Sequence, residues 1–219
     1  MKLGQPLFKL GIFCSSIAIY PWLLSLKYPA IWDRNVTLTL IMIFLLGFYN
    51  EIIAPLHPNK YFNLIYTLLA MLVLIFLKTK MINYHLVILL ICQLGLIFLA
   101  KNRPFTPIIQ QLIIPVFTTL PLIYTIFHFL SYKFVMMILA INTVILSLIL
   151  VKRIILGVFC PTLILGALFL LEYVSFNNLL ISIFLIMIIR ITQHYKPNIF
   201  QQSAWFNFIR ILLSLALLL

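Results

Sequence analysis

The sequence predicts an all-α polytopic transmembrane helical bundle, a single integral membrane domain over residues 1–219 with about nine spans (eight to ten) and short loops. Three observations carry that reading. The chain is 65% apolar and only 8% charged, which leaves too little polar surface to cover a water-soluble globule. Stretches such as Val36 to Tyr49 and Leu86 to Leu99 carry no charge anywhere around a helix, where a soluble helix needs a polar face. The apolar runs are also continuous, over about 15 to 20 residues. Barrel strands alternate over about ten, so helices remain as the structure that satisfies its own backbone in lipid.

Cutting at charge and turn signals places the spans in order. The first is Leu10 to Leu26, preceded by Lys2 and Lys9 and followed by Lys27, Tyr28 and Pro29. Small residues at a cleavage spacing are missing there, so it reads as an uncleaved first span. The second runs from Val36 to about Leu56, entered through Asp33, Arg34 and Asn35 and left through His57, Pro58, Asn59 and Lys60, a good helix stop. The third is Tyr61 to Leu77 and the fourth Met81 to Ala100. The fifth, Ile108 to Leu130, holds Pro115 and Pro121, each of which removes a backbone donor and bends the helix. The sixth is Phe134 to Val151. The seventh, Ile154 to Val174, carries Gly157, Pro161 and Gly166. A short eighth segment, Leu179 to Ile189, leads into a polar loop from Arg190 to Gln202 and a ninth span from Ser203 to Leu219. Connections this short force neighbouring helices to run antiparallel.

Fifteen Lys and Arg face only three acidic residues, a formal charge of +12. Basic residues in short loops mark the cytoplasmic side and meet anionic headgroups. If the amino terminus and the even-numbered loops share a face, that face holds Lys2, Lys9, Lys60, Lys101, Arg103, Lys152, Arg153, Arg190 and Lys196, nine in all. The opposite face holds five: Lys27, Arg34, Lys78, Lys80 and Lys133. The count predicts a cytoplasmic amino terminus in a plasma or inner membrane. No loop is long enough to present a basic stripe with interleaved aromatics, which excludes nucleic acid as a partner.

Charges inside a membrane are rare and expensive, so Glu51, Glu172 and Arg210 are functional candidates by position. Glu51 closes the second span at the inner face, and Arg210 lies about two turns into the ninth from that face. The same side gathers Asn50, Arg103, Arg190 and His194. One reading is an electropositive vestibule for an anionic headgroup or a phosphate, in which arginine offers bidentate contacts and Glu51 acts as a base or orients a partner. The other is an ordinary basic rim above a Glu51 to Arg210 ion pair. Glu172, beside Tyr173, reads as a snorkelling interfacial carboxylate. The prolines and glycines of the fifth and seventh spans mark either a moving element or static kinks with close helix contacts.

Other chemistries find little footing. His85 and His128 fall near the outer face as conceivable axial haem ligands, with only Gly95 near them for ring clearance. The four histidines show no zinc spacing, so no metal site is assigned. Cys14, Cys92 and Cys160 all lie in apolar runs and read as buried thiols. Asp33 is the sole aspartate and no glycine-flanked nucleophile turn occurs, which leaves no support for a triad. The sequence names no cofactor.

Nine helices with short loops, and Tyr49, Asn50 and Glu51 at the inner end of the second, resemble the intramembrane prenyltransferases of the UbiA kind. That resemblance implies a helical bundle and a lipid substrate. The family holds a magnesium diphosphate with two aspartate-rich motifs, whereas this chain offers Tyr49, Asn50 and Glu51 at the first place and no acidic residue in any inner loop. The leading expectation is a multispan membrane protein that binds or carries an anionic lipid or polyprenyl phosphate at its basic cytoplasmic face. Two alternatives stand beside it, a lipid-modifying or prenyl-modifying enzyme with a degenerate UbiA-like bundle and a non-catalytic subunit that needs a membrane protein partner.

Overall fold

The computed structural model describes residues 4–53, 61–62, 64–69, 108–151, 153–196 and 203–218. Among these residues there is no strand, and helices account for nearly all of them. The order is α1 (Gly4–Ser25), α2 (Arg34–Phe48) running on into a π turn at Tyr49–Ile53, a second π turn at Ile109–Ile113 leading into α3 (Ile114–Phe127), then α4 (Tyr132–Leu150), α5 (Ile154–Leu170), α6 (Phe176–Tyr195) and α7 (Ser203–Leu218). Residues 61–62 and 64–69 are also helical. Among the described residues five helical stretches are long and apolar enough to cross a membrane: Gln5–Ser25, Arg34–Ile53, Ile109–Phe127, Tyr132–Leu150 and Phe176–Tyr195. The apolar α5 and α7 are shorter, at 17 and 16 residues. With this length and hydropathy the chain is an integral membrane protein.

The first, second, fifth, sixth, seventh, eighth and ninth expected segments each overlap an observed helix, the third is described only at residues 61–62 and 64–69, and where bounds part the reason is local. The eighth segment is not short. It runs 20 residues to Tyr195, because Ser175 caps its start by accepting from the Asn178 N–H and because Arg190 turns inward instead of ending the helix in water. The seventh stops at Leu170, before the expected Val174. There the Glu172 N–H donates to the Phe169 carbonyl at 2.9 Å and the Tyr173 N–H to the Leu168 carbonyl at 3.0 Å, the paired bonds of a Schellman stop. That stop needs a left-handed residue, and Glu172 supplies it at φ 58°. Its place at the helix end is thus set by backbone geometry as well as by charge. The fourth segment, Met81 to Ala100, lies outside the described residues, as do His57, Lys60, His85, Cys92, Lys101 and Arg103.

Each helix touches the next around a closed circuit: α2, α1, α7, α6, α5, α4, α3 and back to α2. Two contacts cross the circuit, α1 with α3 and α7 with α4, so the middle is filled. Phe13, Ile17, Met42, Leu46, Ile123, Val144, Ile145 and Leu213 form its buried core. One end of the bundle, the far end, joins the end of α1 to the end of α7 through Lys27 Nζ and the Leu218 carbonyl. It also joins the start of α2 to the end of α3, where the Ile31 N–H donates to the Ile126 carbonyl at 2.9 Å. Lys133 stands 5.8 Å from the Tyr173 ring at the same end. Exposed Trp22, Tyr28, Trp32, Phe129 and Tyr132 gather there, the amphipathic belt of a membrane boundary. The near end is where both π turns, the end of α4 and the start of α5 lie.

Packing is closest where glycine permits it. A Cβ on Gly47 would meet Phe13 Cδ1 at 2.6 Å and Leu10 Cδ1 at 3.0 Å, so α1 and α2 press together at this point. α2 begins at Asp33, which accepts from the Val36 N–H at 3.0 Å and from Asn35 Nδ2 at 2.9 Å, a helix N-cap. Partial desolvation pushes the Asp33 carboxyl up. The bonds from Val36 and Asn35, with His128 nearby, outweigh it and hold the group below its ordinary carboxylate value.

Two tests follow from these helix ends. Glu172→Gly relieves a left-handed backbone that costs an L-residue roughly 1–2 kcal/mol, so its thermal midpoint in detergent should rise, by about 1 kcal/mol of stability; a fall would mean that the side chain itself holds the turn. Asp33→Ala should cost about 1 kcal/mol at neutral pH. Because the folded carboxyl is depressed, that difference from the wild type is complete above the unfolded value of about 3.9 and shrinks as pH drops through the folded one. A difference that stays constant to pH 2.5 rules out the cap as its source.

Candidate functional site

Among the described residues the most deeply buried charge is Arg210, on α7, 3% exposed. It lies seven residues from the helix start at Ser203, roughly 10 Å in from the near end. A guanidinium carries five N–H donors and no acceptor, and each unpaired one in a dry interior costs several kcal/mol. All five have partners. Nε donates to Asn142 Oδ1 at 2.8 Å, Nη1 to Ser16 Oγ at 3.3 Å and to Asn207 Oδ1 at 2.5 Å. Nη2 donates to the Gln111 carbonyl at 3.3 Å and to Gln111 Oε1 at 3.1 Å. The acceptors come from α1, the π turn before α3, α4 and α7 itself, so one side chain ties four elements together.

Local sequence explains why these acceptors face inward. Asn142 Nδ2 donates back to the Ile138 carbonyl at 2.8 Å, which turns Oδ1 towards the arginine. Ser16 donates to the Phe13 carbonyl at 2.8 Å, leaving its oxygen to accept. The Gln111 carbonyl is available for a different reason. Its regular helical donor would be the N–H of residue 115, and residue 115 is a proline with none to give. The hydrogen-bond ladder widens here, with the Ile114 N–H reaching the Ile109 carbonyl, and Arg210 supplies a donor to Gln111.

Glu51 lies on the other π turn, 5% exposed. Asn50 Nδ2 donates to Glu51 Oε1 at 3.0 Å, and Gln110 Nε2 donates to Asn50 Oδ1 at 3.4 Å. The two π turns therefore meet through their amide side chains. Glu51 acts coulombically on Arg210 and on Cys14 of α1, which places its carboxylate within electrostatic reach of the guanidinium. Among the described residues the hydrogen bonds found for Arg210 all go to uncharged acceptors.

Of the residues singled out from sequence, Asn50, Glu51 and Arg210 come together. Arg190 does not join them. It sits at the end of α4, where Nη1 donates to the Leu148 carbonyl at 3.2 Å and to Gln193 Oε1 at 2.7 Å, and Nη2 to the carbonyls of Val151 and Arg153. Leu148 and Val151 offer open carbonyls at the C-terminus of α4, where a cation also meets the negative end of the dipole, while the Arg153 carbonyl, at the N-cap of α5, also accepts from the Gly157 N–H at 2.8 Å. Gly157 makes room for it, since a Cβ there would overlap Arg190 Nε, Cζ and Nη2. His194 is exposed, its ring 5.5 Å from Tyr195. Arg103 lies outside the described residues. His128 is exposed at the end of α3 in a left-handed conformation, φ 57°, and its suggested haem partner His85 is not described.

Sequence reading missed Ser16, Gln110, Gln111, Asn142 and Asn207. Two signals were there to find. Asn207 and Arg210 are three apart on one helix, hence on one face. Asn50-Glu51 and Gln110-Gln111 each stand at the same distance ahead of a proline, Pro55 and Pro115.

Arg210→Met should be among the most destabilising single changes in the chain, since removing one member of a buried charged set costs about 3–5 kcal/mol. Arg210→Lys keeps the charge but, with three donors, leaves acceptors unfilled, and should fall between. Adding Glu51→Gln to Arg210→Met should recover about 0.5–3 kcal/mol of that loss, read from unfolding in detergent. Strict additivity would mean that Glu51 is not the counter-charge.

No family model matches the chain, and no significantly similar curated protein or solved structure was found.

Proposed function

We propose that this is a nine-span protein of a plasma or inner membrane, amino terminus in the cytoplasm, that binds or carries an anionic lipid or polyprenyl phosphate at its near, basic end. The observation that carries the reading is a charged, fully hydrogen-bonded cluster two helical turns below a basic rim. An ionisable group inside a membrane is a functional-site candidate by default, because its burial is expensive. π turns, two of which flank this cluster, are also frequent at functional sites.

Donor accounting supports the exposed basic rim as the place where the phosphate is met. Arg210 has all five donors engaged within the protein, and Arg190 has four bonds to carbonyls and to Gln193. The anion then falls to half-buried Lys9 and exposed Arg153, His194 and Lys196. Lys9 stands on the same face of α1 as Phe13 and Ser16, four and seven residues on, above the Arg210 cluster.

A lipid-modifying enzyme is the second reading, favoured by the buried carboxylate of Glu51. It requires Glu51→Gln to abolish turnover in a folded protein. A non-catalytic subunit is the third and requires a partner chain to co-purify.

Gentle extraction into detergent followed by mass spectrometry of the intact protein separates these readings. The expected result is a retained phosphate-bearing lipid. At about 1 kcal/mol per basic residue near an anionic head, combined Lys9→Gln, Arg153→Gln and Lys196→Gln should weaken retention about 100-fold. Undiminished retention in that variant, or a partner chain in place of lipid, rules the reading out.

A further inference from the structure

α5 begins at the near end, and its first turn is uncapped. The first helical hydrogen bond runs from the Gly157 N–H to the Arg153 carbonyl at 2.8 Å, so the N–H groups of Ile154, Ile155 and Leu156 precede the ladder. Arg153 stands at the N-cap and its side chain makes no capping bond to them, whereas α2 and α6 are capped by Asp33 and Ser175. Residues Arg153, Ile154, Ile155 and Leu156 are all exposed, which sets the three donors on the outside of the bundle.

A buried cation lies against the same turn. Arg190 is 4% exposed; its Nη2 donates to the Arg153 carbonyl at 3.0 Å, and Gly157 leaves the space that Nε, Cζ and Nη2 fill. Nε is buried there without a hydrogen-bond partner. Among the described residues the partners of this guanidinium are carbonyls and Gln193. The chain's three acidic residues stand elsewhere, Asp33 and Glu172 at the far end and Glu51 within reach of Arg210. The negative end of α4 and the positive end of α5, about half a charge each, offset one another. The full charge of Arg190 is left, with Arg153 beside it, and an anion at the turn satisfies both the open donors and that charge.

We propose that the first turn of α5 is the seat of the lipid phosphate, held by the N–H groups of Ile154, Ile155 and Leu156 and by the Arg153 side chain, over the buried charge of Arg190. This rests on the lipid-binding reading above and narrows it to phosphomonoesters, lipids whose phosphate is terminal. A terminal phosphate offers three free oxygens and a charge of about −1.5 to −2 at neutral pH, whereas a phosphodiester has two free oxygens and a single charge. Three neighbouring backbone donors beside two arginines match the monoester. Arg190, anchored on the Leu148, Val151 and Arg153 carbonyls, adds its field from below without touching the ligand.

The test titrates the full chain in detergent, by native mass spectrometry, with phosphatidic acid and phosphatidylmethanol of matched acyl chains, a monoester and its methyl diester. The expected result is at least about tenfold tighter binding of phosphatidic acid, a difference of about 1.4 kcal/mol. Two neutral replacements of Arg153 then separate the backbone from the side chain. Asparagine is a preferred N-cap, whose side-chain oxygen takes the N–H of the second or third helical residue, and glutamine is not. Arg153→Asn should therefore bind phosphatidic acid about fivefold more weakly than Arg153→Gln while its thermal midpoint is at least as high. Ile154→Pro keeps Arg153 and carries the comparison if both of those variants bind too weakly to measure. It removes one donor at the first helical position, where proline is tolerated, after a residue already extended at φ −73° and ψ 132°. Its binding of phosphatidic acid should fall about threefold or more. Equal wild-type binding of the two lipids overturns this inference and leaves the lipid-binding reading standing. So does Arg153→Asn binding as well as Arg153→Gln, or Ile154→Pro binding as well as the wild type. Displacement of phosphatidic acid by an equal concentration of inorganic phosphate, or failure of both lipids to bind, overturns both.

Discussion

An arginine cannot give up its charge at any accessible pH, and that constraint organises this protein. Once Arg210 is in the middle of an apolar bundle, its five donors have to be met by the protein itself. They are met by groups drawn from α1, the turn before α3, α4 and α7. Each of those groups is oriented by a bond of its own or by a missing one, as with Asn142, Ser16 and Gln111. The circuit of helices is closed by apolar packing, which in lipid has no strong hydrophobic drive behind it. A shared polar centre gives four of its elements one preferred register.

Pro115 shows how a defect in one element becomes the fitting in another. In isolation it breaks the ladder of α3 and strands a carbonyl. Within the bundle that carbonyl is one of the acceptors that make Arg210 tolerable, and the π turn is the backbone's accommodation to both. Neither residue makes sense without the other. Arg190 applies a similar solution at a rim: it meets the open carbonyls at the end of α4 and closes the loop between α4 and α5.

Much of the fold was legible because hydropathy is a property of runs and survives without knowledge of neighbours. Spans from Leu10, Val36, Ile108, Phe134, Ile154 and Ser203 all fall on observed helices. Charge misled at Arg190, where a basic residue after an apolar run looked like a loop and proved to be an inward side chain on a continuing helix. That Glu51 lies within electrostatic reach of Arg210 agrees with the similar depth the sequence assigns the two residues. Their polar surroundings were not. Asn142 lies in an apolar run that gives no hint of which way its amide faces, and Gln111 owes its role to a carbonyl, which no side-chain pattern reveals.

The brevity of α5 has a cost that falls on the surrounding lipid. Its 17 residues span roughly 26 Å, against a hydrocarbon layer of about 30 Å, and Ile155, Phe159, Leu163 and Leu170 face outward along it. Acyl chains beside this helix must compress or tilt to meet the shorter apolar wall. Beside α5, where Arg153 and the end of α6 stand, the shorter apolar wall favours headgroups closer to the polar interior than they would come at the longer α1 or α4.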